Sequence, residues 1–374
     1  MAIHGVFTDK VEKREKLIAT LRTDDMERYT VVPSTVMINK WPDDLNWVIV
    51  DSTYPAQISR RMELLLNKRD MVVDRLPGDD VRAAEYELRD TVVNEVLTLY
   101  PDYFKREGDL ILSPLTGLAL DVGPYGADPL VTVALLASED MLLLLPEKRG
   151  PRQETVYPLK AGALLFPNGW GLRSKFNQPE PVFPHLGLRA AWREAQKESL
   201  RAARLGKTPY EIHHGAVSHY MAEYATRVDT FFANMKPEHK AWRRNWGMTL
   251  GPELFRHSDH QEAEGPDMNA ENWEKFGYLR SEHETFRKLP VTGAVIFGIK
   301  TYLWKLDALV RNEKALNALL AGNDNLKPLM FEYRSASLPS FREFLDRHRP
   351  KAVTPDPSVP GSLPQPTLGQ RAFE

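Results

Sequence analysis

The sequence has no cysteine among its 374 residues. This absence excludes structural disulfides, thiolate nucleophiles, zinc–thiolate sites, cysteine-ligated iron–sulfur clusters and a thiolate-ligated haem. The ligands of any metal or redox cofactor would therefore have to come from the ten histidines or from carboxylates and tyrosines.

The sequence also lacks an excess of positive charge and a long apolar run. A net charge of −2 argues against a general nucleic-acid-binding protein, because such domains are usually strongly basic. The most apolar region, residues 130–146, is interrupted by Ser138-Glu139-Asp140, whereas a membrane-spanning helix needs about 20 consecutive apolar residues. No apolar segment follows the charges of residues 1–14, so no secretory signal is predicted. We therefore expect a cytoplasmic protein that binds neither nucleic acid nor membrane.

Apolar periodicity predicts helices and strands that are segregated along the chain. Helices are predicted over residues 57–68, 80–99, 187–205 and 217–235. Strands are predicted over residues 47–50, 110–112, 141–145, 163–166, 276–280 and 291–303. Because helices and strands do not alternate strictly, the expected fold class is α+β with an antiparallel sheet.

The length permits one large or two ordinary domains. We predict an N-terminal extension over residues 1–40 and a single domain over residues 41–349. Six prolines fall between Pro350 and Leu368, a composition that is typical of extended or disordered chain. Residues 350–374 are therefore predicted to be a disordered tail.

A histidine pair lies just before the predicted helix 217–235. His213 and His214 are separated from this helix by Gly215 and Ala216. A histidine in this position more commonly bonds the backbone at the start of a helix, and the alternative role is that of an axial ligand to a metal or haem. His213 is the preferred candidate, and His214 and His219 are the substitutes if the register differs.

The segment Trp242-Arg243-Arg244-Asn245-Trp246 places two arginines and an asparagine between two indoles. Guanidinium groups suit carboxylates, haem propionates included, and indole faces can stack on a flat ring system. The commoner structure for such a pattern is a half-exposed strand whose arginines cover apolar surface. If the segment instead binds a cofactor, Arg244, Asn245 and Trp246 are the candidate cofactor-binding residues.

Residues 280–290 are rich in charged side chains and directly precede the apolar, β-branched segment 291–303. An unpaired buried charge costs several kcal/mol. These charges must therefore be solvated, paired with an opposite charge, or part of a functional site. A strand would place Arg280 and Glu282 on one face. A helix would instead align Arg280, Glu284 and Arg287 as a surface ion ladder worth only a few tenths of a kcal/mol per pair. We predict a strand to about residue 282, then a turn or short helix that Pro290 ends.

Five motifs occur in a fixed order along the chain. They are Ser138-Glu139-Asp140, Phe166-Pro167-Asn168-Gly169-Trp170, Leu205-Gly206-Lys207 with Ile212-His213, Arg244-Asn245-Trp246, and Leu279-Arg280-Ser281-Glu282 with Thr285-Phe286-Arg287-Lys288-Leu289-Pro290. In this order they resemble the haem-dependent oxidative N-demethylase α-subunit family. Asp51, Tyr54 and Arg61, followed by Glu87-Leu88, Tyr100-Pro101 and Phe104, also resemble its N-terminal half. The resemblance covers roughly residues 40–310.

The resemblance implies a PAS-like antiparallel sheet flanked by helices, with helical N-terminal additions, that binds haem b through one histidine. It implies that a small secondary amine such as dimethylamine is oxidised by O₂ to the demethylated amine and formaldehyde. Electrons would come from NADPH through separate subunits that carry FMN and a [2Fe–2S] cluster. The absence of cysteine agrees with this arrangement, because the chain itself cannot hold the cluster and needs a reductase partner.

Within this resemblance we assign His213 as the haem ligand and Glu282 as the catalytic carboxylate that holds the substrate ammonium. Arg244 and Arg280 are expected to bind propionates or to orient that carboxylate. Asn245, Trp246 and Arg287 complete the candidate cofactor-binding set: Arg244, Asn245, Trp246, Arg280 and Arg287.

The chain departs from the family pattern at two places, which leaves the ligand register and the substrate open. Where the family has Ile-His-x-Pro-Val-Pro, this chain has Ile212-His213-His214-Gly215-Ala216-Val217. Where the family has Glu-Arg-Gln-Thr-Leu, this chain has Glu282-His283-Glu284-Thr285-Phe286. The alternative function is a non-catalytic haem-based sensor or binding module, since a PAS-like fold does not fix function.

Overall fold

The computed structural model describes residues 11–21, 38–42, 45–149, 151–176, 206–209, 225–257, 267–326 and 337–350. The predicted helix 187–205, the first part of the predicted helix 217–235, the three candidate ligands His213, His214 and His219, and tail residues 351–374 lie outside these ranges. The division into an extension, one domain and a tail stays a prediction.

A seven-stranded antiparallel sheet organises the described part of the chain. The strands are β1 Asn39–Lys40, β2 Val73–Arg75, β3 Lys105–Glu107, β4 Leu110–Ser113, β5 Leu118–Asp121, β6 Asp140–Leu144, β7 Glu147–Arg149, β8 Glu154–Val156, β9 Leu159–Ala163, β10 Lys240–Leu250, β11 Gly277–Lys288 and β12 Val295–Lys305. The large sheet has the order β1-β10-β11-β12-β6-β9-β2, and two small sheets consist of β3-β4-β5 and β7-β8.

The helices precede, interrupt and follow these strands. They are α1 Val11–Ile18, α2 Tyr54–Asn67, α3 Arg69–Val72, α4 Asp79–Leu99, α5 Pro129–Leu136, α6 Leu172–Lys175, α7 Ala225–Asn234, α8 Ala270–Phe276, α9 Leu306–Val310, α10 Glu313–Asp324 and α11 Leu338–His348. Local sequence sets several of the helix starts. Asp128 caps α5 by accepting the Leu130 N–H, with Pro129 at the first helical position. Within the ranges described, no helix is long and apolar enough to cross a membrane.

The mixture of helices and antiparallel sheet confirms the α+β class. The predicted helices at 57–68 and 80–99 are confirmed as α2 and α4. The predicted strand at 47–50 is wrong, although the segment is buried. Its backbone groups bond to side chains instead of to a neighbouring strand: Ile49 N donates to Glu139, and Val48 O accepts from the Tyr100 hydroxyl.

The predicted end of the strand near residue 282 is also wrong. β11 continues to Lys288, because residues 283–288 pair with β10 on one side and with β12 on the other. The turn falls instead between Leu289 and Ala294, where Gly293 adopts a φ of +69°. The strand predicted at 163–166 ends at Ala163, since the N–H groups of Leu165 and Phe166 donate to Asp140.

Alternation along β10, β11 and β12 separates their side chains into two faces. We define the front face by the cross-strand neighbours Asn245, Glu282 and Thr301, and the back face by Arg244, His283 and Lys300. Helices α2, α4 and α5 cover part of the back face in one large apolar cluster, to which the sheet contributes Met141, Leu143, Ala161, Ala163 and Ile296. Helices α8 to α11 cover the far end of the same face. The back face is therefore the side on which most of the core lies.

Candidate functional site

A strip of charged and polar side chains crosses the front face in the middle of the sheet. Glu282, on β11, accepts a hydrogen bond from Arg280 Nε at 2.8 Å and one from Asn245 Nδ2 at 2.9 Å. The two donors use different carboxylate oxygens, so each oxygen retains a second acceptor site. The Glu282 side chain is 12% exposed. A carboxylate oriented in this way can accept a further donor from a small ligand.

Arg280 is buried and held by main-chain carbonyls as well as by Glu282. Its Nη1 donates to Leu254 O at 3.1 Å, and its Nη2 donates to Phe166 O and, at 3.3 Å, to Thr301 Oγ1. Only 1% of its side chain is exposed. The guanidinium is thus fixed in one orientation, with only its Nε directed at Glu282.

A second carboxylate lies two residues further along the same strand and face. Glu284 accepts a hydrogen bond from Arg243 Nε, its cross-strand neighbour, and only 3% of its side chain is exposed. The helical surface ladder considered from sequence does not occur, because residues 280–288 are one strand. Glu282 and Glu284 are therefore two buried carboxylates on one face, each with an arginine partner.

Two apolar clusters lie on the front side, towards the Glu284 end of this strip. One contains Leu76, Leu142, Leu159, Leu164, Leu172, Phe176 and Ile299, and the other contains Leu144, Tyr157, Phe232, Met235, Ala241, Phe286 and Val295. Phe297 packs against both clusters and stacks on Phe286, with ring centroids 5.1 Å apart and planes 7° from parallel. Apolar, partly aromatic surface beside buried charge is the usual composition of a small-molecule site.

The structure brings together three of the predicted site residues, namely Asn245, Arg280 and Glu282. Three others lie on the back face. Arg287 pairs with Glu95 of α4 at 3.1 Å, Arg244 lies over the Trp242 ring, and Trp246 belongs to the cluster beneath α8 to α11. Strand alternation explains the division, since neighbours in sequence point to opposite faces. His213 lies outside the described residues.

Sequence reasoning missed a second buried polar cluster, on the back face around Lys300. Its ammonium donates to Ser138 Oγ at 2.6 Å, to Gln57 Oε1 at 3.0 Å and to Thr53 Oγ1 at 3.1 Å. Asp51 Oδ1 lies 3.6 Å away. The available signal was a single lysine within the apolar strand 295–304, since lysine is almost never fully buried without a partner.

Glu139 lies beside this cluster and differs from the cluster's side chains in its hydrogen bonding. Its Oε1 accepts the Ile49 N–H at 2.9 Å, while its buried Oε2 has no hydrogen-bond partner among the described residues. Burial raises the pKa of Glu139 from its ordinary 4.5 to about 7, and the positive charges of Lys300 and Arg61 offset only part of that effect.

The side chains of the front face are compatible with a flat apolar cofactor. No group of three or more histidines, aspartates or glutamates in the described ranges could hold a metal ion. The stacked phenylalanines and the aliphatic side chains provide apolar surface of the kind that packs against a macrocycle. The expectation that His213 is the haem ligand stays a prediction.

The fold and the site define a class of protein: an α+β chain whose antiparallel sheet carries arginine-held carboxylates beside apolar clusters. A family model described as haem-dependent oxidative N-demethylase, alpha subunit-like, matches residues 39–180 and 199–339. The match covers most of the chain, and the chain belongs to this family. The resemblance drawn from the motifs is thereby confirmed. The matched ranges include the front-face strip, the Lys300 cluster and His213.

Proposed function

We propose that this chain is the haem-binding subunit of an enzyme that oxidatively demethylates a small secondary amine of the dimethylamine type. The observation that carries the proposal is the geometry of Glu282, which is held by Arg280 and Asn245 and is 12% exposed. Membership of a family named for haem dependence and N-demethylation supports the cofactor and the class of reaction.

Glu282 provides the counter-charge that such a substrate needs. A small dialkylamine is a cation at neutral pH, and an ammonium in a largely apolar site is stable only beside an acceptor of opposite charge. The carboxylate would accept a hydrogen bond from the ammonium N–H and could take up that proton at Oε1 or Oε2. The apolar clusters would receive the two methyl groups. Glu284 is the less suitable partner, because only 3% of its side chain is exposed, against 12% for Glu282.

Haem b is the proposed cofactor, and His213 would hold it within a PAS-like fold. When bound, the haem would supply the site at which O₂ is activated. Arg280 is assigned to orienting Glu282 rather than to a propionate, since its terminal nitrogens already donate to Leu254 O, Phe166 O and Thr301 Oγ1. Asn245 shares this orienting role.

The reaction balance requires a partner that supplies electrons. One secondary amine, one O₂, two electrons and two protons give a primary amine, formaldehyde and water. We propose that NADPH provides the electrons through partner subunits that carry FMN and a [2Fe–2S] cluster, since this chain has no cysteine to hold the cluster. The alpha subunit-like description of the family agrees with a multi-subunit assembly. A cytoplasmic location remains a prediction.

The cofactor is tested first by the absorption spectrum of the purified protein. A Soret band is expected, and His213→Ala should lose it while keeping the fold, because the ligand contributes to haem affinity more than to the core. His214→Ala is the matched control and should retain the band. Full haem occupancy with a histidine-ligated spectrum in His213→Ala would contradict the assignment and direct attention to His214 and His219.

The substrate site is tested by Glu282→Gln, which removes the charge and nearly keeps the shape. Dimethylamine affinity, measured by titration of the haem spectrum, should fall by about 10- to 150-fold, because a charge-assisted hydrogen bond is worth roughly 1.5–3 kcal/mol. Haem content should stay near that of the wild type. The loss should be amplified by Arg280, which is left buried without its charge partner.

Glu284→Gln is the matched control for this experiment. It also removes the charge of a buried carboxylate with an arginine partner on the same face, so a similar loss of stability is expected. Its dimethylamine affinity should stay within about threefold of the wild type. Equal effects of the two variants, or a larger one at Glu284, would place the substrate carboxylate elsewhere. If the protein binds the amine but releases no formaldehyde with NADPH and the reductase, the alternative function, a non-catalytic haem-based sensor or binding module, would be favoured.

A further inference from the structure

The motif Ser138-Glu139-Asp140 contains a buried ion pair that the proposed function does not use. Asp140 Oδ1 accepts a hydrogen bond from Arg61 Nη1 at 2.7 Å, and 1% or less of either side chain is exposed. Arg61 also donates to main-chain carbonyls that surround the motif, Ala134 O and Glu139 O, both at 2.8 Å. The pair thus fixes the position of the Asp140 carboxylate from α2.

Asp140 in turn fixes a piece of irregular backbone. Its Oδ1 accepts the Leu165 N–H at 2.8 Å and its Oδ2 accepts the Phe166 N–H at 2.9 Å. The Arg61 guanidinium lies over the Phe166 ring, 5.2 Å from its centroid. These contacts help to end β9 at Ala163: Leu164 N still donates to Val72 O, but the N–H groups of Leu165 and Phe166 turn towards a side chain. The Phe166 carbonyl belongs to the next peptide group, on the other side of the Phe166 Cα.

The Phe166 carbonyl is the acceptor for Arg280 Nη2. Arg280 then presents Nε to Glu282 Oε1 at 2.8 Å. A continuous series therefore leads from Arg61 and Asp140, through the Phe166 main chain on both sides of its Cα, to the front-face carboxylate. Every charged side chain in the series before Glu282 has an exposed fraction of 1% or less.

We infer that Asp140, held by Arg61, is a positioning residue for the amine site: it fixes the Phe166 carbonyl, which fixes the orientation of Arg280 and hence of Glu282. This inference rests on the proposed function of Glu282. The physical reason lies in the fork of the guanidinium. Arg280 gives Glu282 one hydrogen bond while a carbonyl occupies Nη2. If that carbonyl moves, Nη2 can join Nε in a bidentate pair with the carboxylate, which then has less capacity to accept an ammonium.

The test is calorimetric titration of dimethylammonium chloride into the purified holoprotein and its variants. Asp140→Asn keeps the size of the side chain but cannot accept from Arg61, Leu165 N and Phe166 N together. The amine dissociation constant should rise about tenfold. Added to Glu282→Gln, the same change should weaken binding by less than about twofold further, because the two residues act through one path.

Glu85→Gln is the matched control. Glu85 is another fully buried carboxylate with two arginine partners, Arg75 and Arg82, and it lies on α4. This variant should lose stability as Asp140→Asn does, with amine affinity within about twofold of the wild type. An equal loss of affinity in both variants would overturn the inference, as would an unchanged affinity in folded Asp140→Asn or a fully additive double variant. If Glu282→Gln alone leaves affinity unchanged, it is the proposed function that fails.

Arg61→Lys provides a second route if Asp140→Asn does not fold. Lysine keeps a positive charge beside Asp140 but cannot reproduce the simultaneous bonds of Arg61 to the carboxylate and to the Ala134 and Glu139 carbonyls. Its dissociation constant for dimethylammonium should rise by about threefold or more, again with little further effect in the Glu282→Gln background. Wild-type affinity in this variant would overturn the inference.

Discussion

The two faces of the central strands bury charge in different ways. On the back face, the Lys300 ammonium makes three hydrogen bonds, and Asp51 lies 3.6 Å away. On the front face, Glu282 receives one bond from Arg280 and one from Asn245, and 12% of its side chain is exposed. An ammonium can make three hydrogen bonds and a carboxylate can accept about four. The back-face cation is therefore saturated, whereas the front-face anion retains capacity.

This difference separates a structural charge from one that can serve binding. A saturated buried cation rigidifies the connection between α2 and the sheet, since Gln57 contacts Lys300 through Oε1 and the Thr301 carbonyl through Nε2. A largely buried anion with unoccupied acceptor positions has lost hydrogen bonds to water. A ligand that carries a hydrogen-bond donor can replace them. Burial alone does not distinguish the two roles, and the number of occupied acceptor or donor positions does.

Removal of the Lys300 charge is the most severe test of the difference between the two faces. Lys300→Met keeps the length of the side chain but leaves the Asp51 carboxylate, 5% exposed, without its cation. Loss of one partner of a buried pair typically costs about 3–5 kcal/mol, so the free energy of unfolding in urea should fall by about that amount. The folded fraction should bind dimethylamine within about threefold of the wild type, because the front face is unchanged.

Lys305→Met tests the same substitution at the exposed end of the same strand. Its effect on the free energy of unfolding should be within about 0.5 kcal/mol. A Lys300→Met variant that is as stable as Lys305→Met would show that the buried cluster contributes little net stability. A variant that stays stable but loses amine affinity would assign the binding role to the back face instead.

The elements that sequence predicted well are those whose signal is local. The apolar stripes at 57–68 and 80–99 mark α2 and α4 because each helix buries one face. The segment 47–50 has the composition of a strand, yet its partners are the side chains of Glu139 and Tyr100. Such partners are distant in sequence and leave no periodic signal. The length of β11 was underestimated for a related reason, since its charged residues suggested solvent where the fold supplies arginines.

The candidate site was likewise predicted only in part from the sequence. Alternation along a strand correctly placed Arg280 and Glu282 on one face. Arg287 was expected beyond the end of the strand, and Arg244 lies on a different strand, β10. The structure places both side chains on the other face. The series from Arg61 through Asp140 and Phe166 was beyond sequence reasoning, because it joins four separate elements by single contacts.

Glu139 is the exception on the back face, since its charge is incompletely compensated. Its Oε2 is buried and has no hydrogen-bond partner in the described part of the chain, and burial raises its pKa from 4.5 to about 7. A carboxyl whose pKa is higher in the folded state binds more protons there than in the unfolded state. Its contribution to stability is therefore fully present below about pH 4.5 and is lost as the pH rises through about 7.

Glu139→Gln should remove this pH dependence, which sharpens the comparison between the two faces. The amide keeps an oxygen for the Ile49 N–H but does not titrate. Relative to wild type, the variant should therefore gain about 3 kcal/mol of unfolding free energy between pH 4.5 and pH 8. Urea unfolding at several pH values measures the gain. Dimethylamine affinity should not change, because Glu139 lies beside Lys300 and not on the front face. Parallel stability profiles for the two proteins would mean that Glu139 is solvated in the folded state, and the distinction between saturated and unsaturated charges would then not extend to this residue.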